Sequence, residues 1–211
     1  QLADTYEISK DGLTHTIKLR KGVQFHNGKE MTSEDVQASV QRWGKVSPTG
    51  KELFANVDGI TSPDKYTITL KLKNPYSIVD STLSLQGQGA AIYPKEIVEE
   101  AGDGQIKQFI GTGPYKFVEH VKDRHLRLAR FDNYANLGDK PDGYGGKKYA
   151  YFDEIRFIPV PDQSVRLAGL QSGEYDFADG INMDQYALLK DSKQVKTWIF
   201  PPTRQPYAGF N

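Results

Sequence analysis

The 211-residue sequence contains no cysteine. Disulfide frameworks, thiolate metal sites and thiol nucleophiles are excluded together. It also lacks an excess of either charge, since 27 Lys and Arg balance 27 Asp and Glu. Without a broad positive field, no nucleic-acid partner is expected. Apolar runs are short, as at Phe157-Ile158 between Arg156 and Pro159. Nothing approaches the roughly 18 residues that a membrane-crossing helix needs. No signal peptide is visible, and the chain opens on Gln1-Leu2-Ala3-Asp4 without an initiator Met. It reads as a processed chain or a piece of a longer protein.

What is present is an ordinary globular composition, 37% hydrophobic, 26% charged and 11% aromatic. At roughly 150 residues per domain the length corresponds to between one and two domains. A chain of this size buries roughly 70% of its unfolded surface and needs no metal or disulfide staple.

Alternating Tyr6 and Ile8, a Lys10-Asp11-Gly12 turn, and Leu13, Ile17 and Leu19 predict a hairpin over 4–25. Val23 and Phe25 lead into a second, shorter hairpin at His26-Asn27-Gly28, where Asn-Gly suits a type I′ turn. Thr32, followed by Glu34 and Asp35, marks a helix start whose Val36, Val40 and Trp43 fall on one face. Ser62 to Lys65 reads as a turn, and Tyr66, Ile68, Leu70 and Leu72 alternate as a half-buried strand stopped by Asn74-Pro75. A short helix is expected over 76–84, a flexible Gly-rich stretch over 86–91, and a helix from Pro94 through Ala101.

Beyond Gly111 the pattern predicts a hairpin of 115–119 with 126–131, then a long Gly-rich surface loop over 132–148. A strand over 149–160 precedes a helix capped by Asp162, carrying Val165, Ala168 and Leu170 and ended by Gly173. Residues 175–178 read as a strand, Asn182 with Gln185 as the start of another helix, and 195–199 as a last strand. Helices and strands mix without strict βαβ alternation, so the expected class is α/β of the mixed α+β kind. The hairpins up to 73 and the elements after 94 suggest two lobes.

No catalytic constellation emerges. Gly111-Thr112-Gly113 is followed by Pro114 and a strand rather than a helix, against a dinucleotide loop. Gly145-Gly146-Lys147-Lys148 lacks the first Gly and the Ser/Thr of a phosphate loop. His15, His26, His120 and His125 lack the helical i, i+3 or i+4 partner of a zinc site, and His120 and His125 read as exposed hairpin residues. There is no G-x-S-x-G elbow, and Glu99-Glu100 reads as a solvated helix face. Neither an enzyme nor a cofactor or metal is expected.

Several stretches together resemble a known family. Residues 12–29, Gly-Leu-Thr-His-Thr-Ile-Lys-Leu-Arg-Lys-Gly-Val-Gln-Phe-His-Asn-Gly-Lys, followed by Met31 to Val36, closely resemble the signature of extracellular solute-binding protein family 5. These are the dipeptide- and oligopeptide-binding proteins of ABC importers. Gly111 to Phe117 is similar to its "GTGPYKF" element, Gly173-Glu174-Tyr175-Asp176 to "GEYD", and Tyr207 to Asn211 to "YLGFN". Most of these residues have a structural explanation, His26 included, and identify the fold without touching ligand.

The resemblance implies a periplasmic-binding-protein-like type II lobe with an inserted smaller subdomain, the second large lobe lying outside this chain. Carried onto the sequence, 1–93 would be the smaller subdomain, 94–206 part of the main lobe, and 207–211 the start of the crossover. Hinge closure around a peptide would involve Asp179, Gly180, Tyr207 and Asn211. Asp179 departs from the aromatic-Asn pair of some oligopeptide binders, and either faces a ligand amine or caps the next helix. Gln86 and Gln88, at the junction of the lobes, are either a connector or amide donors at the cleft rim. The implied partners are a peptide or other small solute and the ABC permease, with the protein a monomer. It would be periplasmic, or a cell-surface lipoprotein anchored through an N-terminal segment not present here. A nickel chelate, haem, opine or oligosaccharide in place of peptide, a hydrolase, and a protein-interaction module are the alternatives.

Overall fold

A computed structural model describes residues 2–85, 87–138, 140–142, 145–180 and 182–198. The chain divides into two compact units, one of residues 1–122 and 126–157, the other of 158–211 with 123–125.

The first unit is built on a four-stranded antiparallel sheet, β1 (Ala3–Ile8), β2 (Thr14–Leu19), β4 (Thr67–Leu72) and β3 (Val57–Asp64), in that spatial order. Ile17 pairs with Ile68, and His15 and Ile60 flank Leu70. The register gathers the apolar residues of β2 and β4, and Leu19, Ile68, Leu70 and Leu72 are all buried. Helix α1 (Ser33–Val46) packs on β3 and β4 through the expected stripe of Val36, Val40 and Trp43. Each such side chain contributes roughly 1.5–3 kcal/mol of burial.

Two elements are absent from the sequence-based expectation. Helix α2 (Pro48–Ala55) starts on Ser47, with Pro48 in its first turn, and places Leu53 in the core. Gly50 lies so close to the Trp43 carbonyl that a Cβ would collide with it. Strand β3 runs through Ser62 to Asp64, residues expected to turn. The turn falls instead at Lys65-Tyr66, where the Asp64 carboxylate accepts from the Tyr66 N–H at 2.9 Å and the Thr67 hydroxyl at 2.7 Å. The loop after Phe25 is not a type I′ hairpin either: Gly28 alone takes positive φ, +86°. The Asn27 side chain accepts from Lys29 N–H, and a single bridge, Gln24 to Glu30, replaces the second hairpin's ladder.

Helices α3 (Val79–Leu83) and α4 (Lys95–Ala101) appear where expected. Strands β5 (Tyr115–Val121), β6 (His125–Arg130) and β9 (Glu154–Phe157) form a three-stranded sheet. The Gly-rich loop carries a two-residue ladder, β7 (Pro141–Asp142) with β8 (Gly145–Gly146). The strand expected over 149–160 is confined to β9, where β6 supplies a partner.

The second unit holds α5 (Gln163–Ser172) and α6 (Met183–Leu189). Asp162 and Asn182 cap them as expected, accepting from Ser164 and Val165, and from Gln185, respectively. The apolar face read for α5 is only partly covered: Leu170 is half-buried, but Val165 is 53% exposed and Ala168 is exposed. Residues 175–178 are not a strand. The N–H groups of Glu174 and Tyr175 both turn back to the Gly169 carbonyl, at 2.9 and 3.1 Å, and the Tyr175 ring lies over Gly169. Of the last expected strand, 195–198 is not extended into a ladder, because Gln194 and Val195 N–H groups bond the Ser192 hydroxyl. Residue 199 lies outside the described residues. The mixed α and β content agrees with the expected class.

Candidate functional site

Within the first unit, residues 23–31 form an inward-turned loop with Val23, Phe25 and Met31 buried. His26 joins it to the Gly111-Thr112-Gly113 segment. His26 N–H donates to the Gly111 carbonyl at 2.9 Å, and Gly111 N–H donates to His26 Nδ1 at 3.2 Å. The other ring nitrogen, Nε2, lies 3.0 Å from the Gly113 carbonyl, and the ring meets Phe131 edge-on at 5.1 Å. Two motifs that the resemblance treats separately are thus one piece of structure.

Beside this junction lies a cavity of about 500 Å³. His26 and Gly111 form part of its wall, together with Ile92, Tyr93 and Tyr115, Phe117 and His120 of β5. Phe109 and Phe117 pack with ring centroids 4.9 Å apart. Apolar walls with a few polar atoms are the usual lining of a small-molecule site. The alternation of Tyr115 and Phe117 is the sequence signal for this wall; the pairing of 26 with 111–113 has no local signal.

Asp35 holds the start of α1 against α4. It is completely buried, and its carboxylate accepts from Thr32 N–H at 2.8 Å, Thr32 O–H at 2.9 Å, Lys29 Nζ at 2.8 Å and Lys95 N–H at 2.8 Å. Burial alone would push this carboxyl up, but the Lys29, Lys95 and Thr32 hydrogen bonds outweigh it and hold it below the usual range. Thr32 and Asp35 form a reciprocal capping box, and the Thr32 hydroxyl also donates to the Asp35 carboxylate. The neighbouring groove is charged, but its charges face one another: Lys29 pairs with Glu96, Lys95 with Glu34 and Lys65 with Glu30. Tyr6 and His15, 2.5 Å apart, are a further titratable pair, and burial, with Asp80, pushes the phenol up to about 12. Neither residue lines the cavity.

The residues expected to meet a solute are placed as follows. Asp179 and Gly180 are exposed in the second unit, Gly180 with φ +65° and its carbonyl 3.4 Å from an Arg166 nitrogen. Asn182, not Asp179, caps α6. Gln88 lies in the first unit, its carbonyl accepting from the Trp43 indole at 2.8 Å and its side chain from Thr49 at 2.9 Å. Gln86, Tyr207 and Asn211 lie outside the described residues. Among the described residues no group of three or more His, Asp or Glu could hold a metal ion, and no helix is long and apolar enough to cross a membrane.

The comparisons with known proteins agree with the resemblance. A glutathione-binding protein of Escherichia coli O1:K1 is 29% identical over 212 residues, covering 100% of this chain and 39% of that protein. The periplasmic binding protein DppA of Helicobacter pylori, solved with a peptide, superposes with a TM-score of 0.72 at 26% identity, covering 92% of this chain and 40% of the other. The binding protein AgaA of A. tumefaciens R10, solved with agropinic acid, gives 0.64 at 29% identity, covering 82% and 33%. The chain thus spans about two fifths or less of the length of these relatives. All 211 residues match the family described as bacterial extracellular solute-binding proteins, family 5 Middle. The chain belongs to that family, one of solute binders and not of enzymes.

Proposed function

We propose that this chain is part of the substrate-binding component of an ABC importer, which captures peptides in an interlobe cleft and delivers them to the membrane permease. The family match over all 211 residues carries this reading, and the likeness to a peptide-bound relative favours peptide as the solute. In this proposal residues 1–93 form the smaller subdomain and 94–206 part of the main lobe of a type II fold. Residues 207–211 begin the crossover to a second large lobe outside these 211 residues. Closure works by differential affinity: solute binds the closed arrangement better than the open one and shifts the population toward it. Peptide main chain pairs with protein backbone, while wet pockets tolerate varied side chains. Asp179, Gly180, Tyr207, Asn211, Gln86 and Gln88 are the proposed contacts from this chain. The protein acts as a monomer, in the periplasm or tethered at the cell surface.

Native mass spectrometry of the whole protein, purified from its source, tests the reading. Co-purifying peptides are expected. A retained non-peptide mass supports the second reading, a nickel chelate, haem, opine or oligosaccharide as solute, and the relative solved with agropinic acid favours a non-peptide solute. Complete hydrolysis of added peptides, with none retained, overturns both. By calorimetry, the 211-residue chain should bind peptide at least about tenfold more weakly than the whole protein, roughly 1.4 kcal/mol. Equal affinity would place the cleft within this chain and refute the two-lobe site.

A further inference from the structure

We propose that His26 is a proton-released clasp: its neutral ring ties the loop of residues 23–31 to residues 111–113, and protonation of Nδ1 opens that tie in the cavity wall. The hydrogen bonds fix the tautomer. Gly111 N–H points at Nδ1, so Nδ1 must offer its lone pair. Nε2 faces the Gly113 carbonyl, an acceptor only, so Nε2 must carry the hydrogen. A proton taken from solvent onto Nδ1 sets two N–H groups against each other and abolishes the Gly111 bond. The Gly113 bond survives, because Nε2 remains a donor. Release is therefore confined to the N–H of Gly111, a lining residue of the cavity, while the Gly111 carbonyl keeps its bond from the His26 backbone N–H.

The surroundings oppose the charged ring. Burial holds the His26 pKa below its ordinary value of 6.5; the Gly113 carbonyl works against this, and Lys116 on β5 lowers it further. Tyr93, Tyr115 and His120 are the other titratable groups lining the same cavity. The folded state therefore binds this proton less readily than the unfolded chain. The clasp's contribution is complete above the ordinary histidine value and declines as pH falls below it.

The test is a pH titration of the whole protein by nitrogen-15 NMR with labelled histidine, with hydrogen exchange at Gly111 followed in parallel. The expected result is an Nε2–H tautomer at neutral pH and a His26 titration below 6.5. The protection factor of the Gly111 amide should fall about tenfold along that same curve. In His26→Gln, which keeps a donor for Gly113 and cannot titrate, Gly111 protection should stay flat across the range. An Nδ1–H tautomer, a titration at or above the ordinary value, or an unchanged pH curve in His26→Gln would overturn the clasp. If the variant does not fold, the tautomer and titration of the unaltered chain still decide.

Discussion

Two aspartates at helix starts summarise how differently the two units are held. Asp35 in the first unit is buried and joins three separate pieces of chain, the loop at Lys29, the cap at Thr32 and the start of α4 at Lys95. Asp162 in the second unit is exposed and bonds only its own helix, at Ser164 and Val165. The contrast extends to burial. The core of the first unit runs from Leu19 to Val79, whereas among the described residues of 158–198 Leu189 is the buried large hydrophobic and Val165, Phe177, Leu188 and Trp198 are exposed. The first unit is stabilised by distant residues brought together, the second by local caps and turns.

Replacing Asp35 is the severest test of this difference. Asp35→Ala leaves the Lys95 and Thr32 N–H groups without their side-chain acceptor and Lys29 with Glu96 alone, and should cost about 3–5 kcal/mol in urea unfolding. A loss below about 1 kcal/mol would show that the network is dispensable. Next, Leu70→Ala should cost about 2–5 kcal/mol, against at most about 0.5 for Val165→Ala. Equal costs would break the contrast between the units. Asp162→Ala should cost about 1 kcal/mol, seen as faster amide exchange in the first turn of α5 and unchanged exchange in β4.

The smallest effect concerns pH. Hydrogen bonds from Lys65, Tyr66 and the Gly22 N–H hold the Glu30 carboxyl at about 2, below its ordinary 4.5. Its contribution is therefore present above pH 4.5 and is lost as pH falls toward 2. Glu30→Gln should flatten that part of the stability curve; an unaltered acid limb would remove Glu30 from the account.

What the sequence made legible follows the same division. Caps and periodic stripes are local, so α1, α5 and α6 were readable from Thr32, Asp162 and Asn182 with their neighbours. Strand β3 was not, because Val57 to Thr61 holds a Gly and only Ile60 is buried. The Ser47-Pro48 start of α2 is a usable signal that periodicity alone does not weigh. Residues 175–178 look like a strand by composition, but the turn-back of Glu174 and Tyr175 to Gly169 takes up the first donor a ladder would need. The cavity was not legible in the sequence, because its lining gathers His26 with residues 91–93, 109–111 and β5, and the His26–Gly111 contact spans 85 residues.

The Asp35 junction also constrains the order in which the chain folds. Its bond to the Lys95 N–H spans 60 residues, so a loop of that length must close before the carboxylate is satisfied. The Thr32–Asp35 cap and the β3–β4 pairing are much shorter in range and can form before the Lys95 bond. The Lys95 bond should therefore form after the rate-limiting barrier, so that Asp35 has a low fractional transition-state effect carried by its local cap alone. Substitutions there would speed unfolding and leave the refolding rate almost unchanged, whereas Leu70→Ala would slow refolding. Stopped-flow chevrons of the two variants would display the buried carboxylate as a brake on unfolding and the sheet as the nucleus.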